Sequence, residues 1–279
     1  MAYKMVCIDM DGTLLGKGRK VSDESKRVIK KLHDKGIEVV VTTGRIYNNA
    51  AYYSHLLGVK SPVIAANGAI VRDKYTNKVI YENPIKPETC IKLVETLESL
   101  NLLFHFYTSN EIYCGNYITK VATKLYMTKQ KDFDDLKIHY NVIRNIKKWE
   151  ELFNRTNGKI TKSIAFSLEP KKLRALKVKL DEFDDIIYFG AGTKSLEINN
   201  RGASKGKAVK ALAEHYGFKR EEIVCIGDNE NDISMIEYAG LGVAMGNAID
   251  KVKDLADFVT DTNKEDGVAK ALKKIFDIY

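Results

Sequence analysis

The 279-residue chain has little of what several protein classes require. Its four cysteines, Cys7, Cys90, Cys114 and Cys225, form no C-x-x-C pair and no His/Cys cluster at zinc spacing. They read as structural thiols rather than disulfide, zinc or redox centres. No apolar run approaches the roughly 20 residues that a membrane helix needs. Lys4, Asp9 and Asp11 interrupt the N-terminal apolar segment, so it does not read as a secretory signal. A cytoplasmic protein is the expectation. There is no internal repeat and no low-complexity stretch. The formal charge of +8 is spread along the chain instead of gathered in a block, and no aromatic-plus-basic signature accompanies it. Nucleic acid and membrane are therefore not expected partners. A small anionic metabolite is, because a basic surface steers anions.

What is present is an alternation of strands and helices. "KMVCI" is a continuous apolar strand. "SDESKRVIKKLHDKG" reads as a helix capped by Ser22 or Asp23, with Val28, Ile29 and Leu32 on one face and Gly36 as the stop. The strand "IEVVVTT", the helix "IYNNAAYYSHLLG" and the strand "SPVIAANG" follow. This order predicts a parallel sheet with helices on its faces. "AIVRDKYTNKVIYE" predicts a hairpin turning near Asn77. Two of the four prolines, Pro84 and Pro87, come next, and the pattern changes to longer amphipathic helices mixed with strands. The α/β rhythm returns with "SLEINN" and runs through "SKGKAVKALAEHYG", "EIVCIGD", "ENDISMIEYAG" and "LGVAMG" to a terminal helix ending near Phe276. The predicted fold is α/β: a doubly wound parallel-sheet core (1–83 and 195–279) interrupted by an inserted α+β domain (84–194). The insertion carries 19 Lys and Arg against 14 Asp and Glu, which is +5 of the net charge.

In open parallel sheets, ligands bind beyond the carboxyl ends of the strands. Asp9 and Asp11 follow the first strand, Thr43, Gly44 and Arg45 the second, and Asn67 and Gly68 the third. Asp228, Asn229, Asn231 and Asp232 follow "IVCIG". Each group alone could be an ordinary turn or cap. Four on one sheet edge argue for a site. Three carboxylates there, Asp9, Asp11 and Asp228, would repel one another without a cation, and Mg²⁺ suits such a set. Lys205 stands at a helix start behind the N-cap Ser204, where a lysine and free N–H groups make a phosphate clamp. The N–H groups of Gly44 and Arg45 offer a second cradle.

"DMDGTLL", "TTGR", "SKG" and "GDNENDISMI", in this order, resemble the four motifs of the haloacid dehalogenase-like phosphatases. The chain is similar to the Cof-type branch, whose large α/β cap is inserted between the second and third motifs. The resemblance covers nearly the whole chain and implies a Rossmann-like core. It implies that Asp9 is the nucleophile and Asp11 the general acid/base, with the Asp11 backbone carbonyl also on Mg²⁺. Thr43 and Lys205 would complete the catalytic set. Thr43, Gly44, Arg45, Asn67, Lys205 and Asn231 would bind substrate. Asp9, Asp11 and Asp228 would hold the metal, with Asp232 behind them. The implied activity is a Mg²⁺-dependent phosphatase acting on small phosphorylated metabolites through a phospho-Asp9 intermediate, in a monomer or weak homodimer. A phosphomutase or phosphotransferase on the same site is the nearest alternative, and a non-catalytic phospho-aspartate signalling module a more distant one. The cap should set substrate specificity, and His105, Tyr107 and Tyr113 in its strands are candidates to line a cavity or ordinary sheet residues.

Overall fold

The computed structural model describes residues 2–128, 138–156, 159–190 and 192–278. The chain divides into two compact units, residues 1–82 with 204–279 and residues 83–203.

The first unit opens with β1 (Met5–Asp9), α1 (Asp23–Asp34), β2 (Glu38–Thr42), α2 (Tyr47–Leu56), β3 (Val63–Ala65), β4 (Ile70–Arg72) and β5 (Val79–Glu82). All five residues of β1 are buried, as a strand covered on both faces requires. Ser22 caps α1, its hydroxyl accepting from the Ser25 N–H at 3.1 Å. Val28, Ile29 and Leu32 form the buried stripe of that helix. The hairpin between β4 and β5 turns at Asn77, which takes φ +60, a conformation asparagine tolerates.

The second unit contains α3 (Pro87–Ser99), β6 (Leu103–Tyr107), β7 (Glu111–Cys114), α4 (Tyr117–Thr128), β8 (His139–Val142), α5 (Ile146–Thr156), β9 (Lys162–Phe166), α6 (Pro170–Leu180), β10 (Ile186–Gly190) and β11 (Ser195–Asn200). Its sheet has the order β10-β11-β9-β6-β7-β8 and is antiparallel except at β7–β8. Alternation sends Phe104 and Phe106 of β6 to one face, where they pack with Trp149 and Phe153 of α5 and with α3 and α6. Here the expected boundary shifts. "SLEINN", assigned from sequence to the returning core at residue 195, is β11. It pairs with β9 and β10, so the second unit continues to Ala203.

The first unit resumes with α7 (Lys205–Tyr216), β12 (Ile223–Gly227), α8 (Ile233–Tyr238), β13 (Leu241–Ala244), α9 (Asp250–Leu255), β14 (Phe258–Val259) and α10 (Gly267–Phe276). Its sheet runs β14-β13-β12-β1-β2-β3-β4-β5, parallel from β14 to β3. α7 and α8 cover one face, packing Val209, Leu212 and Met235 on Cys7, Val40 and Cys225. α1 and α10 pack together. β1 lies between β2, which follows it in the chain, and β12, which arrives after the long excursion. That is the point where strand order reverses, the place where open sheets of this kind bind ligands.

Candidate active site

The buried carboxylate of Asp9 stands at the end of β1. The next residues fold back at once: the Leu14 N–H donates to the Asp9 carbonyl at 3.1 Å and the Leu15 N–H to the Met10 carbonyl at 2.9 Å. Gly12 turns the chain at φ +92, and a Cβ there would lie 2.3 Å from an Asp228 carboxylate oxygen. Thr13 then donates its hydroxyl to Asp228 Oδ1 at 2.7 Å, tying the β1 loop to the β12 loop.

Lys205 is the first residue of α7 and is fully buried. Its Nζ donates to Asp9 Oδ1 and to Asp232 Oδ1, each at 2.5 Å. Ser204 caps the helix through the Lys207 N–H at 3.2 Å. Gly206 lets the helix approach α8, since a Cβ there would meet the Ser234 carbonyl at 2.1 Å. The other Asp232 oxygen accepts the N–H groups of Asp228 at 2.9 Å and Asn229 at 3.0 Å. So Asp232 fixes both the lysine and the loop that carries Asp228.

Asp9, Asp228 and Asp232 each present a ligand atom within 4.8 Å of the others. One lysine does not neutralise three carboxylates. Burial, reinforced by the charges of Asp232 and Asp228, pushes the Asp9 carboxyl well above the ordinary range against the pull of Lys205. Burial and Asp232 push Asp228 up to about 6. Burial alone would lower the Lys205 ammonium, but Asp232 and Asp9 raise it above an ordinary lysine. This surplus of carboxylate oxygen fits a hard divalent cation. Asp232 already accepts from Lys205 and two N–H groups, so Asp9 and Asp228 are the better placed of the three to hold it.

The second and third strand ends form a connected shelf. Thr43 is buried, and its hydroxyl accepts the Arg45 N–H at 3.2 Å. That N–H is therefore capped, where the sequence suggested an open cradle. The Asn67 N–H donates to the Thr43 carbonyl at 3.1 Å, and the Ala66 N–H to the Arg45 carbonyl at 2.9 Å. Asn231 donates to Asn67 Oδ1 at 2.9 Å, linking the β3 and β12 loops. Arg45 grips Asp11 with two bonds, Nε to Oδ2 at 2.6 Å and Nη2 to Oδ1 at 2.5 Å. The Asp11 side chain thus points to Arg45, not into the acidic cluster.

Three participants escaped the sequence reading. Thr13 orients Asp228, Asn49 accepts from Arg45 Nη1 at 3.0 Å, and Tyr53 lies with its ring centroid 5.3 Å from the Arg45 guanidinium. Asn49 and Tyr53 stand four residues apart on α2, one turn of the same helix face, a spacing that could have flagged them. In the second unit, Tyr113 packs into the apolar core, while His105 is buried beside Tyr107 and Thr123.

Residues 6–272 match the family model of the haloacid dehalogenase-like hydrolases. The chain belongs to that family. It is 32% identical to the phosphatase YwpJ of Bacillus subtilis over 98% of this chain and 99% of that one. It is 33% identical to the B. subtilis 5-amino-6-(5-phospho-D-ribitylamino)uracil phosphatase YcsE over 97% of this chain and 94% of that protein. A haloacid dehalogenase-like hydrolase from Bacteroides thetaiotaomicron superposes with a TM-score of 0.83 at 28% identity, covering 98% of this chain and all of the other. Family membership and these relatives make the chain a phosphatase of the haloacid dehalogenase-like family. Among the described residues, no helix is long and apolar enough to cross a membrane.

Proposed function

We propose that this phosphatase is Mg²⁺-dependent and hydrolyses small phosphorylated metabolites through a phospho-Asp9 intermediate. The observation that carries the reading is the Lys205 bridge, which fixes one oxygen of Asp9 and leaves Oδ2 as the attacking atom. Asp9 attacks phosphorus in line, the phosphoester bond breaks, and an acyl phosphate forms. Asp11 gives its proton to the departing alkoxide, then takes one from the water that cleaves the acyl phosphate and regenerates Asp9. Lys205 and Thr43 stabilise charge on the transferring group. A divalent cation held by Asp9, Asp228 and the Asp11 carbonyl would neutralise repulsion between carboxylate and phosphate. Gly44, Arg45, Asn67 and Asn231 form the polar floor of the phosphate site, with Asp232 supporting Lys205 and the metal loop.

The substrate class is a phosphomonoester of a small polyol, sugar or related metabolite, in line with the phosphoribitylamino compound named for one relative. Residues 83–203, with their excess of positive charge, are the proposed source of specificity. Phosphate release from a metabolite panel that includes phosphorylated ribityl compounds, with and without Mg²⁺, tests the reading. Turnover should need Mg²⁺ and vanish in Asp9→Asn. Wild-type turnover by a folded Asp9→Asn protein sinks the mechanism.

A further inference from the structure

The proposed general acid, Asp11, spends both carboxylate oxygens on Arg45. In that arrangement both oxygens are held as acceptors and the side chain is turned away from the acidic cluster. The two partners are anchored unequally. The Arg45 side chain is 11% exposed and the Asp11 side chain 54%. Arg45 is held from α2 by the buried Asn49, which accepts from Nη1 at 3.0 Å, and by the Tyr53 ring at 5.3 Å. Asp11 sits in the loop after β1, between the buried Asp9 and the turn at Gly12. When the pair opens, the carboxylate moves and the guanidinium stays.

A guanidinium fork fixed in this way matches two oxygens of a phosphate as well as two oxygens of a carboxylate. It also lies next to the start of α2, where Ile46 supplies no capping side chain and the helix dipole favours an anion. Resting on the phosphatase reading, we propose that Asp11 is an internal stand-in for the substrate phosphate. It occupies Arg45 until the phosphate displaces it, and only the displaced Asp11 side chain is free to turn toward the leaving group. Asn49 and Tyr53 are then positioning residues for phosphate binding, acting through Arg45. Occupancy of the phosphate site and readiness of the acid become a single event, so an empty site keeps its acid out of use.

Titration calorimetry with inorganic phosphate, in the presence of Mg²⁺, tests the exchange on wild type, Asp11→Asn, Arg45→Met and the double variant. Asp11→Asn should bind phosphate about tenfold tighter, roughly the worth of one charge-assisted contact. The gain should disappear in the Arg45→Met background. An equal gain in both backgrounds would mean simple loss of negative charge and would overturn the proposal, as would no gain at all. Asn49→Ala should raise KM for an aryl phosphate several-fold with kcat nearly unchanged, and should have no effect on phosphate binding once Arg45 is Met. A fall in kcat at constant KM would remove Asn49 from the role. If Asn49→Ala does not fold, Tyr53→Leu replaces it, with loss of phosphate affinity in the wild-type background and no loss once Arg45 is Met. Absence of turnover by the wild type would defeat the phosphatase reading alone, because the binding cycle needs no catalysis.

Discussion

Gly68 and Ser204 meet so closely that a Cβ on Gly68 would lie 2.2 Å from the Ser204 carbonyl oxygen. The contact locks the loop after β3 to the start of α7, the helix that delivers Lys205. Gly68 also takes φ +89, which L-residues avoid. Gly68→Ala should therefore cost at least about 2 kcal/mol of stability, from strain and backbone collision together. It should also cut kcat, because Lys205 moves with its helix. Gly58→Ala is the control: φ is +68 but no atom lies within 4 Å, so only about 1 kcal/mol of backbone strain is expected, with kcat unchanged. Chemical denaturation and steady-state kinetics on both variants would decide. Equal behaviour of the two would refute the packing argument.

Lys205 is a buried cation between two buried carboxylates. Removing it leaves Asp9 and Asp232 without their shared partner, a loss of about 3–5 kcal/mol. Lys205→Met should thus be both inactive and markedly less stable. Lys205→Arg keeps the charge but carries a planar fork into a site shaped for a point charge. It should recover stability before it recovers activity. The melting temperatures of the three proteins give the order directly, and a Met variant as stable as wild type would contradict the burial argument.

Much of this site is legible in the chain because Asp9, Thr43 and Asp228 each follow or end a strand that is buried along most of its length. "MVCID", "EVVVT" and "IVCIG" are apolar runs halted by Asp, Thr-Gly and Asp-Asn, and the structure puts Asp9, Thr43 and Asp228 at those ends. Local pattern could not assign β11. "SLEINN" alternates like any strand, and its partners β9 and β10 are a matter of long-range pairing. β14 has two residues, too few to show a period. The Asp11–Arg45 pair joins residues 34 apart, with no local signal that one of them will satisfy the other. Nor could spacing show that Asp232 divides its oxygens between a lysine and two backbone N–H groups.

Asp228 is held by Thr13 but keeps its place in the acidic cluster, with its carboxyl pushed up to about 6 by burial and Asp232. A cation bound to the native state alone stabilises it by mass action, about 2.7 kcal/mol at a hundredfold excess over Kd. Mg²⁺ should therefore raise the melting temperature of the wild type, and EDTA should reverse the rise. Asp228→Asn should lose the shift at the same Mg²⁺ concentration and need at least about tenfold more metal for half-maximal activity, since one charged ligand is gone. A full Mg²⁺ shift in Asp228→Asn would take Asp228 out of the metal site.

His105 supplies a pH signature for the second unit. The ring is buried, with Nδ1 3.1 Å from the Thr123 hydroxyl and no partner on Nε2. Burial first, then the charge of Lys162, lowers its pKa to about 3 from an ordinary 6.5. Between those values the unfolded chain binds a proton that the folded chain refuses. The contribution of His105 is thus intact above about pH 6.5 and is lost as pH falls, at roughly 1.4 kcal/mol per unit. From pH 6.5 to 5 the loss is about 2 kcal/mol. Trp149, the single tryptophan, lies in the core of the same unit and reports its unfolding. Urea titrations followed by its fluorescence should show that slope in the wild type and a flatter one in His105→Phe. Only slopes are compared, so any fixed cost of the substitution drops out. Parallel pH profiles for the two proteins would mean that His105 is already solvated in the native state.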